Sequence, residues 1–234
     1  MKTQTYGSGG PLLILAGEDG REVFDRTREK TEKPFTLISF QTEDWMGDYS
    51  PWQAEGFAGN GKKTLEAVRE LLRGYETVPA AICGYSLAGL FALWAFYETG
   101  LFKGAVSCSG SLWFEGFMDY LKVRTAPENS FVYLSLGGKE EKTDHPVMKT
   151  IGDRTRETNK LLQKDPNIVD TTLVMNKGGH FGDAAGRLAL GCGWMVEKLY
   201  KEIPQDSART ANLLPSPQGK VPPQAADEDH LFRG

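Results

Sequence analysis

The stretch that decides the expected fold is AAICGYSLAGL, residues 80–90. It begins as an apolar run, turns at Gly84 and continues into apolar residues at helical spacing. A strand that passes this abruptly into a helix needs small residues beside the turn, and Gly84 and Ala88 meet that need. The stretch therefore predicts a strand, a sharp turn and a helix, with Ser86 at the tip of the turn.

The Ser86 hydroxyl is expected at the carboxyl end of this strand and at the N-terminus of the helix. Backbone N–H groups and the helix dipole favour an oxyanion there. The pattern departs from the nucleophile-elbow pattern G-x-S-x-G only in Ala88, which stands where the last glycine is usual. A serine that merely caps the helix is the alternative, and partners elsewhere in the chain decide between the two interpretations.

Apolar runs alternate with helical patterns along the rest of the chain. Further strands are predicted at residues 11–17, 35–40, 104–108, 131–136 and 169–175. This alternation predicts an α/β fold, with a mainly parallel sheet and helices on both of its faces. Residues 1–204 are expected to form a single domain, because α/β folds of this length commonly stay undivided. Residues 205–234 are rich in Pro, Gln, Ala and Asp and predict a flexible tail.

The bulk composition excludes several classes of partner. A net charge of -4 over 234 residues, without a basic stripe, argues against nucleic acid. No run reaches the roughly 18 apolar residues of a membrane span, and no signal-peptide core is apparent. The three cysteines, Cys83, Cys108 and Cys192, lie far apart in apolar settings, which favours buried thiols over a disulfide or a metal site. A cytoplasmic protein without a metal or organic cofactor is expected.

Three polar side chains follow three different predicted strands. Ser86, Glu140 and His180 each lie in a glycine-bearing loop beyond a carboxyl strand end, where sites of parallel α/β sheets form. Their order is nucleophile, acid and base, which is the order of α/β-hydrolases. The sequence therefore predicts a catalytic triad at this edge of the sheet.

Each member of this triad has a definite chemical task. A serine hydroxyl needs an imidazole to accept its proton, and a carboxylate holds the imidazole in the right tautomer. His145 precedes a proline in a charged loop and His230 lies in the tail, so His180 is the preferred base. Glu140 is the preferred acid because it comes soonest after the Gly137-Gly138 turn. Two neighbouring acids, Glu141 and Asp144, remain open as alternatives, although each also suits a solvated charge run.

Backbone groups and aromatic side chains complete the expected site. The N–H of Leu87 is the first predicted oxyanion donor, and the loop at Gly17 and Glu18 is the candidate for the second. The long connection between residues 41 and 60 carries several aromatic residues. These either line a substrate pocket or fix the loop to the surface.

The combination of motifs resembles the esterase family of α/β-hydrolases that includes esterase D, feruloyl esterases, enterochelin-type siderophore esterases and mycolyltransferases. The resemblance spans about residues 11–200. It is carried by five segments: DYSPW (residues 48–52), GYSLAG (84–89), SGSLWF (109–114), the turn at residues 137–140 and GGHF (178–181).

This resemblance implies an α/β-hydrolase fold and a carboxyl-ester hydrolase, with Ser86 as nucleophile, His180 as base and, by position, Glu140 as acid. It also implies that Trp113 contacts a small-molecule ester substrate, and Trp52 and Tyr85, within the same motifs, are assigned to substrate contact as well. About ten residues precede the first predicted strand, so the usual antiparallel edge strands are expected to be missing or replaced and the sheet reduced. No lid is apparent, which implies an open site.

Two other functions stay open at this point. The same fold supports acyl transfer to an alcohol other than water, and a binding module that has lost its chemistry would also keep the fold. The assignable triad favours an enzyme over a binding module. The identity of the ester and the oligomeric state do not follow from the sequence.

Overall fold

A computed structural model of the chain describes residues 1–203. Its strands are β1 (Lys2–Gly7), β2 (Leu12–Ala16), β3 (Thr36–Gln41), β4 (Ala80–Tyr85), β5 (Gly104–Cys108), β6 (Ser130–Gly137) and β7 (Ile168–Asn176). Its α-helices are α1 (Gly20–Arg28), α2 (Trp45–Asp48), α3 (Gly61–Leu71), α4 (Ser86–Thr99), α5 (Phe117–Lys122), α6 (Ile151–Leu162) and α7 (Ala184–Leu199). The predicted flexible tail, residues 205–234, lies outside the described residues.

The strands form one sheet in the order β1-β3-β2-β4-β5-β6-β7. Strands β2 to β7 pair in parallel, and only β1 runs antiparallel to its neighbour β3. Parallel strands need crossover connections, and the helices between them supply these. The expected mainly parallel sheet is confirmed.

Helices cover both faces of the sheet, as predicted. Because side chains alternate along a strand, Leu12 and Ile14 of β2 face one apolar core, while Leu13 and Leu15 face the other. Helices α3, α4, α5 and α6 pack on the first face, and α1 and α7 pack on the second. Every residue of α4 from Leu87 to Phe96 is buried, as expected of a helix that is apolar all round.

The N-terminal edge of the sheet differs from the prediction. The expected loss of an antiparallel edge strand is wrong for β1, which pairs with β3 from Lys2 opposite Gln41 to Gly7 opposite Thr36. Tyr6 is its only buried residue. Backbone hydrogen bonds rather than an apolar face hold this strand in place, so its polar sequence carries no hydrophobic periodicity that would reveal it.

The parallel strands bring the predicted site residues to one edge. Ser86 directly follows β4, Glu140 follows β6 by three residues and His180 follows β7 by four. Because β4, β6 and β7 run in the same direction, their carboxyl ends open onto the same side of the sheet. The topology thus brings three segments that are remote in sequence within reach of one another.

All three cysteines are free and buried, as the sequence predicts. Cys83 and Cys108 lie on β4 and β5, and Cys192 lies on α7, which packs over the same face of the sheet. Burial raises the pKa of the Cys108 thiol to about 12. In the described part of the chain, no helix has the length and apolar character needed to cross a membrane.

Candidate active site

The turn between β4 and α4 has the strained geometry expected around Ser86. Ser86 has a φ of 58°, in the left-handed region that non-glycine residues seldom adopt. A Cβ at Gly84 would collide with the carbonyl of Ala88, so only glycine lets the strand and the helix approach this closely. The turn presents the Ser86 hydroxyl beyond the strand end.

The imidazole of His180 lies between a hydroxyl and a carboxylate. Its Nε2 is 3.0 Å from Ser86 Oγ, and its Nδ1 is 2.8 Å from Glu140 Oε2. Both separations are hydrogen-bond distances. A proton on Nδ1 is favoured by the carboxylate, and that tautomer leaves Nε2 free to accept a proton from the hydroxyl. The structure therefore brings together the three residues that the sequence places after different strands.

Of the three candidate acids, Glu140 is the one whose carboxylate meets the imidazole. Glu141 points away and bonds Arg156 of α6 at 2.7 Å. Asp144 is exposed in the following loop and lines neither of the clefts beside Ser86. The two acids that remain open in the sequence thus do not face His180.

The Glu140 carboxylate is buried but fully supplied with donors. Its Oε1 accepts hydrogen bonds from the N–H of Gly137 and from Ser109 Oγ, both at 2.7 Å. Burial opposes ionisation, but the hydrogen bonds from His180, Ser109 and Gly137 outweigh it and lower the pKa of Glu140. The acid therefore stays ionised around neutral pH.

The sequence does not reveal Arg187, a buried arginine on the first turn of α7. Its guanidinium donates to Glu140 Oε1 (3.1 Å), Ser109 Oγ (3.1 Å), Tyr85 Oη (2.9 Å) and the carbonyls of Lys177 (3.0 Å) and Gly179 (2.9 Å). Only 4% of the side chain of Arg187 is exposed, as is 4% of that of Glu140. One side chain thus joins the acid to the loop that carries His180. The available sequence signal is a single charge in a mainly apolar helical stretch, which does not distinguish Arg187 from an ordinary helix charge.

Tyr85 and Ser109 support the same group, and the prediction that Tyr85 contacts substrate is corrected. Tyr85 is 5% exposed, and its hydroxyl donates to the carbonyl of His180. Its side chain packs on the α7 face of the sheet and lines neither cleft beside Ser86. Burial is the main cause of the raised pKa of Tyr85, so the phenol remains a neutral donor.

The predicted oxyanion donors differ in availability. The N–H of Leu87 lies in the first turn of α4, where helix N–H groups have no partner within the helix. The N–H of Gly17 donates to the carbonyl of Phe40 at 2.9 Å, so the prediction of Gly17 as a donor is corrected. Glu18 is the other candidate of that loop, and its N–H makes no hydrogen bond within residues 1–203.

Two clefts meet at Ser86. The larger, of about 820 Å³, extends on the Leu87 side and is walled by Trp45, Met46, Phe57, Trp113, Phe114 and Met148. The smaller, of about 480 Å³, contains His180 and Glu140. Trp113 and Met148 line both clefts, and the contact of Trp113 with substrate that the resemblance implies stays a prediction.

Trp52 lies behind the wall of the larger cleft, and the prediction that it contacts substrate is corrected. Its Nε1 donates to the carbonyl of Glu115 at 3.0 Å, and its ring packs against Phe114 and Tyr120. Trp45, Met46 and Phe57 of the same long connection do line the cleft. The connection therefore serves both purposes left open by the sequence, because some of its aromatics fix the loop and others form the wall.

No group of three or more His, Cys, Asp or Glu side chains within residues 1–203 is arranged to hold a metal ion. The polar atoms that converge at Ser86 are those of the hydroxyl, imidazole and carboxylate described above. They are suited to moving a proton from an oxygen nucleophile and returning it to another oxygen.

No protein-family model matches the sequence, and no curated protein matches it either. Solved structures do match. The siderophore hydrolase EstB from Aspergillus nidulans has a TM-score of 0.62 at 17% identity, over 80% of this chain and 83% of that one. The siderophore hydrolase EstA from the same organism has a TM-score of 0.64 at 15% identity, over 83% and 89%.

An IroE-like serine hydrolase from Shewanella oneidensis is similar as well. Its TM-score is 0.66 at 13% identity, and the match covers 84% of this chain and 80% of that one. At these identities the likeness concerns the fold. The chain has the α/β-hydrolase fold, as the family resemblance implies.

Proposed function

We propose that this protein is a serine carboxyl-ester hydrolase that acts on a small-molecule ester. The observation that carries the proposal is the hydrogen-bonded series from Ser86 Oγ through His180 to Glu140, located where two clefts meet. Solved structures of the same fold are named siderophore hydrolases, a serine hydrolase and an enterobactin esterase, which supports ester cleavage on this scaffold.

In the first half of the proposed reaction, Ser86 Oγ attacks the carbonyl carbon of the ester. The hydroxyl proton passes to Nε2 of His180 as the new bond between Oγ and carbon forms. Glu140 stabilises the resulting imidazolium, and its lowered pKa keeps it charged for that purpose. The bond between carbon and the alcohol oxygen then breaks, and Nε2 returns its proton to that oxygen.

In the second half, water takes the place of the departed alcohol. His180 accepts a proton from the water as the water oxygen bonds to the acyl carbon. The bond to Ser86 Oγ then breaks, and the proton passes from Nε2 back to Oγ. One ester and one water thus give one acid and one alcohol, and the enzyme regains its starting protonation state.

The oxyanion of each tetrahedral intermediate needs fixed donors. We assign this role to the N–H groups of Leu87 and Glu18, neither of which has a hydrogen-bond partner within residues 1–203, and to the positive end of the α4 dipole. Removal of a single side-chain oxyanion donor costs about 3–4 kcal/mol of transition-state stabilisation in a serine protease, which sets the scale for such donors. The position of Leu87 supports the assignment, because its N–H directly follows the attacking serine in the first turn of α4.

Replacement of the nucleophile tests the proposal. Ser86→Ala should keep the fold and lower kcat for an activated aryl acetate by roughly four to six orders of magnitude, because the covalent route is lost. A fluorophosphonate should label the native protein and not this variant. Ser107→Ala removes a buried hydroxyl of β5 that lines neither cleft, so it serves as the control that keeps both activity and labelling.

Three results would count against the proposal. Full turnover by Ser86→Ala would remove Ser86 from the mechanism. A native protein that neither turns over the ester nor accepts the label would favour the non-catalytic binding module. If glycerol added to the assay is converted into its ester in excess water, the protein is an acyltransferase instead of a hydrolase.

A further inference from the structure

The smaller cleft, on the His180 side of Ser86, has a basic rim. Lys139, Lys142 and Thr143 line it together with His180 and Glu140. Both lysines are exposed to solvent. Within residues 1–203 neither ammonium group forms an ion pair with a carboxylate. Two cations thus border the cleft that contains His180, and neither has a carboxylate partner within residues 1–203.

The backbone conformation after β6 places the side chains of Lys139 and Lys142 on the same face of a turn. Residues Glu140–Lys142 form a 3₁₀ helix, and the N–H of Lys142 donates to the carbonyl of Lys139 at 3.1 Å. Side chains three residues apart on such a turn lie on the same face. Both lysines therefore border the cleft, while Glu141 turns to Arg156 of α6.

The neighbouring charges leave this cleft positive. Glu140 also lines it, but the guanidinium of Arg187 balances that carboxylate at 3.1 Å. Asp144 follows the turn without lining the cleft, and His145 lines the larger cleft instead. A ligand in the smaller cleft therefore meets two ammonium groups and the hydroxyls of Ser111 and Thr143 beside apolar side chains, and the two ammonium groups favour a negative charge.

The proposed chemistry decides which half of an ester lies here. His180 Nε2 must protonate the departing alcohol oxygen, so the alcohol half has to leave on the His180 side. The oxyanion points toward Leu87, and the larger cleft on that side is walled mainly by aromatic rings and methionines. The exposed side chains of Glu55, Glu115 and His145 also line it, and no lysine or arginine does. The acyl half therefore belongs in the larger cleft, which is bordered by acids and no lysine, and the alcohol half in the smaller cleft, which is bordered by two lysines.

We propose that the substrate is an ester of an aromatic or similarly bulky apolar acid with an alcohol that carries a negative charge. Lys139 and Lys142 determine this specificity by attracting the anionic group of the alcohol. The inference rests on the proposed esterase function and adds the chemical class of each half of the substrate.

Esters that share one acyl group and differ in the charge of the alcohol test this inference. We compare benzoyloxyacetate (anionic), benzoyloxyacetamide (neutral and similar in shape) and benzoylcholine (cationic). The value of kcat/KM should be highest for the anionic ester, roughly tenfold above the neutral one, and lowest for benzoylcholine. Because the lysines are exposed, this preference should shrink near 1 M salt, where the Debye length is about 3 Å.

Variants connect the preference to the two lysines. Lys139→Met and Lys142→Met should each reduce the ratio of anionic to neutral turnover roughly threefold, and the double variant should remove it. Turnover of benzoyloxyacetamide should change little. Lys149→Met, a nearby lysine that lines neither cleft, is the matched control and should keep the native ratio.

Monoethyl terephthalate, whose charge is on the acyl half, tests the orientation. It should be a poorer substrate than ethyl benzoate. A preference for it, or equal turnover of the three benzoyl esters, would overturn the inference and leave the esterase function standing. If Ser86-dependent hydrolysis of every ester is absent, the esterase function and the inference fail together.

Discussion

The two sides of the Ser86 site are built in different ways. Behind His180 lies a buried polar network in which Glu140, Ser109, Tyr85 and Arg187 satisfy one another. In front of Ser86 lies an apolar wall that opens to solvent, with Met46 46% exposed and Met148 42% exposed. The His180 side consists of paired hydrogen-bond donors and acceptors. The wall in front of Ser86 is a partly exposed apolar surface that could contact an apolar ligand.

This difference shows how the fold separates the proposed chemistry from specificity. A buried network has one low-energy arrangement, because any movement leaves a charge or a donor without a partner. An apolar wall tolerates changes of shape, since its contacts are not directional. The geometry around the imidazole is therefore the most tightly fixed part of the site. The loops that form the wall can vary in shape, and so can be adapted to a particular substrate.

The largest effect within the network is expected from Glu140→Gln. The amide keeps the size of the side chain but no longer stabilises the imidazolium, and it favours the wrong tautomer of His180. We expect kcat for an aryl acetate to fall by roughly three to four orders of magnitude while the protein stays folded. Glu141→Gln, which alters only the contact with Arg156, is the control and should retain most of the activity. Equal losses in both variants would argue against a special role of Glu140.

Arg187→Met tests whether the network depends on its central cation. Loss of one partner leaves the Glu140 carboxylate buried and uncompensated, so we expect the free energy of unfolding to fall by about 3–5 kcal/mol. Urea unfolding followed by circular dichroism measures this change.

A second variant separates the charge from the packing of Arg187. In Arg187→Met combined with Glu140→Gln no buried charge is left alone, so part of the lost stability should return. If the two single changes are simply additive, the pair does not act as a unit and the network is less coupled than its geometry indicates.

The smallest effect is expected from a change in the apolar wall, Phe57→Ala. Phe57 lines the larger cleft and packs against Trp113 and Phe114. Its removal should lower kcat/KM for a benzoyl ester roughly tenfold relative to the acetyl ester of the same alcohol, because only the larger acyl group uses the wall. Phe181→Ala changes a fully exposed ring on the other side of His180 and should leave this acyl preference unaltered. An unchanged preference in Phe57→Ala would place the acyl group elsewhere.

The sequence predicts the parts of this molecule that have a local pattern. The turn at Ser86 follows from small residues next to an apolar run, and the glycine-bearing loops at Glu140 and His180 follow from the strand ends before them. The order of these three residues along the chain then predicts that they form one site. In the structure they lie within hydrogen-bond distance of one another at one edge of the sheet.

Features that depend on contacts between remote segments are not predictable in this way. Arg187 reads as an ordinary helix charge until α7 packs against β4 and β5 and brings it to Glu140. The N–H of Gly17 looks available until β3 supplies the carbonyl of Phe40. The polar strand β1 has no pattern of its own and is held by the pairing that β3 offers. In each case the decisive partner lies far away in sequence.

The burial of the three cysteines has a practical consequence for labelling this protein in solution. Thiol reagents attack the thiolate, and burial both hides these sulfurs and raises the pKa of Cys83 and Cys108. The folded chain therefore offers no native attachment point to a maleimide dye. A cysteine introduced at the outward-facing position of Phe181 would give a single reporter beside the imidazole, with no need to remove the natural sulfurs first.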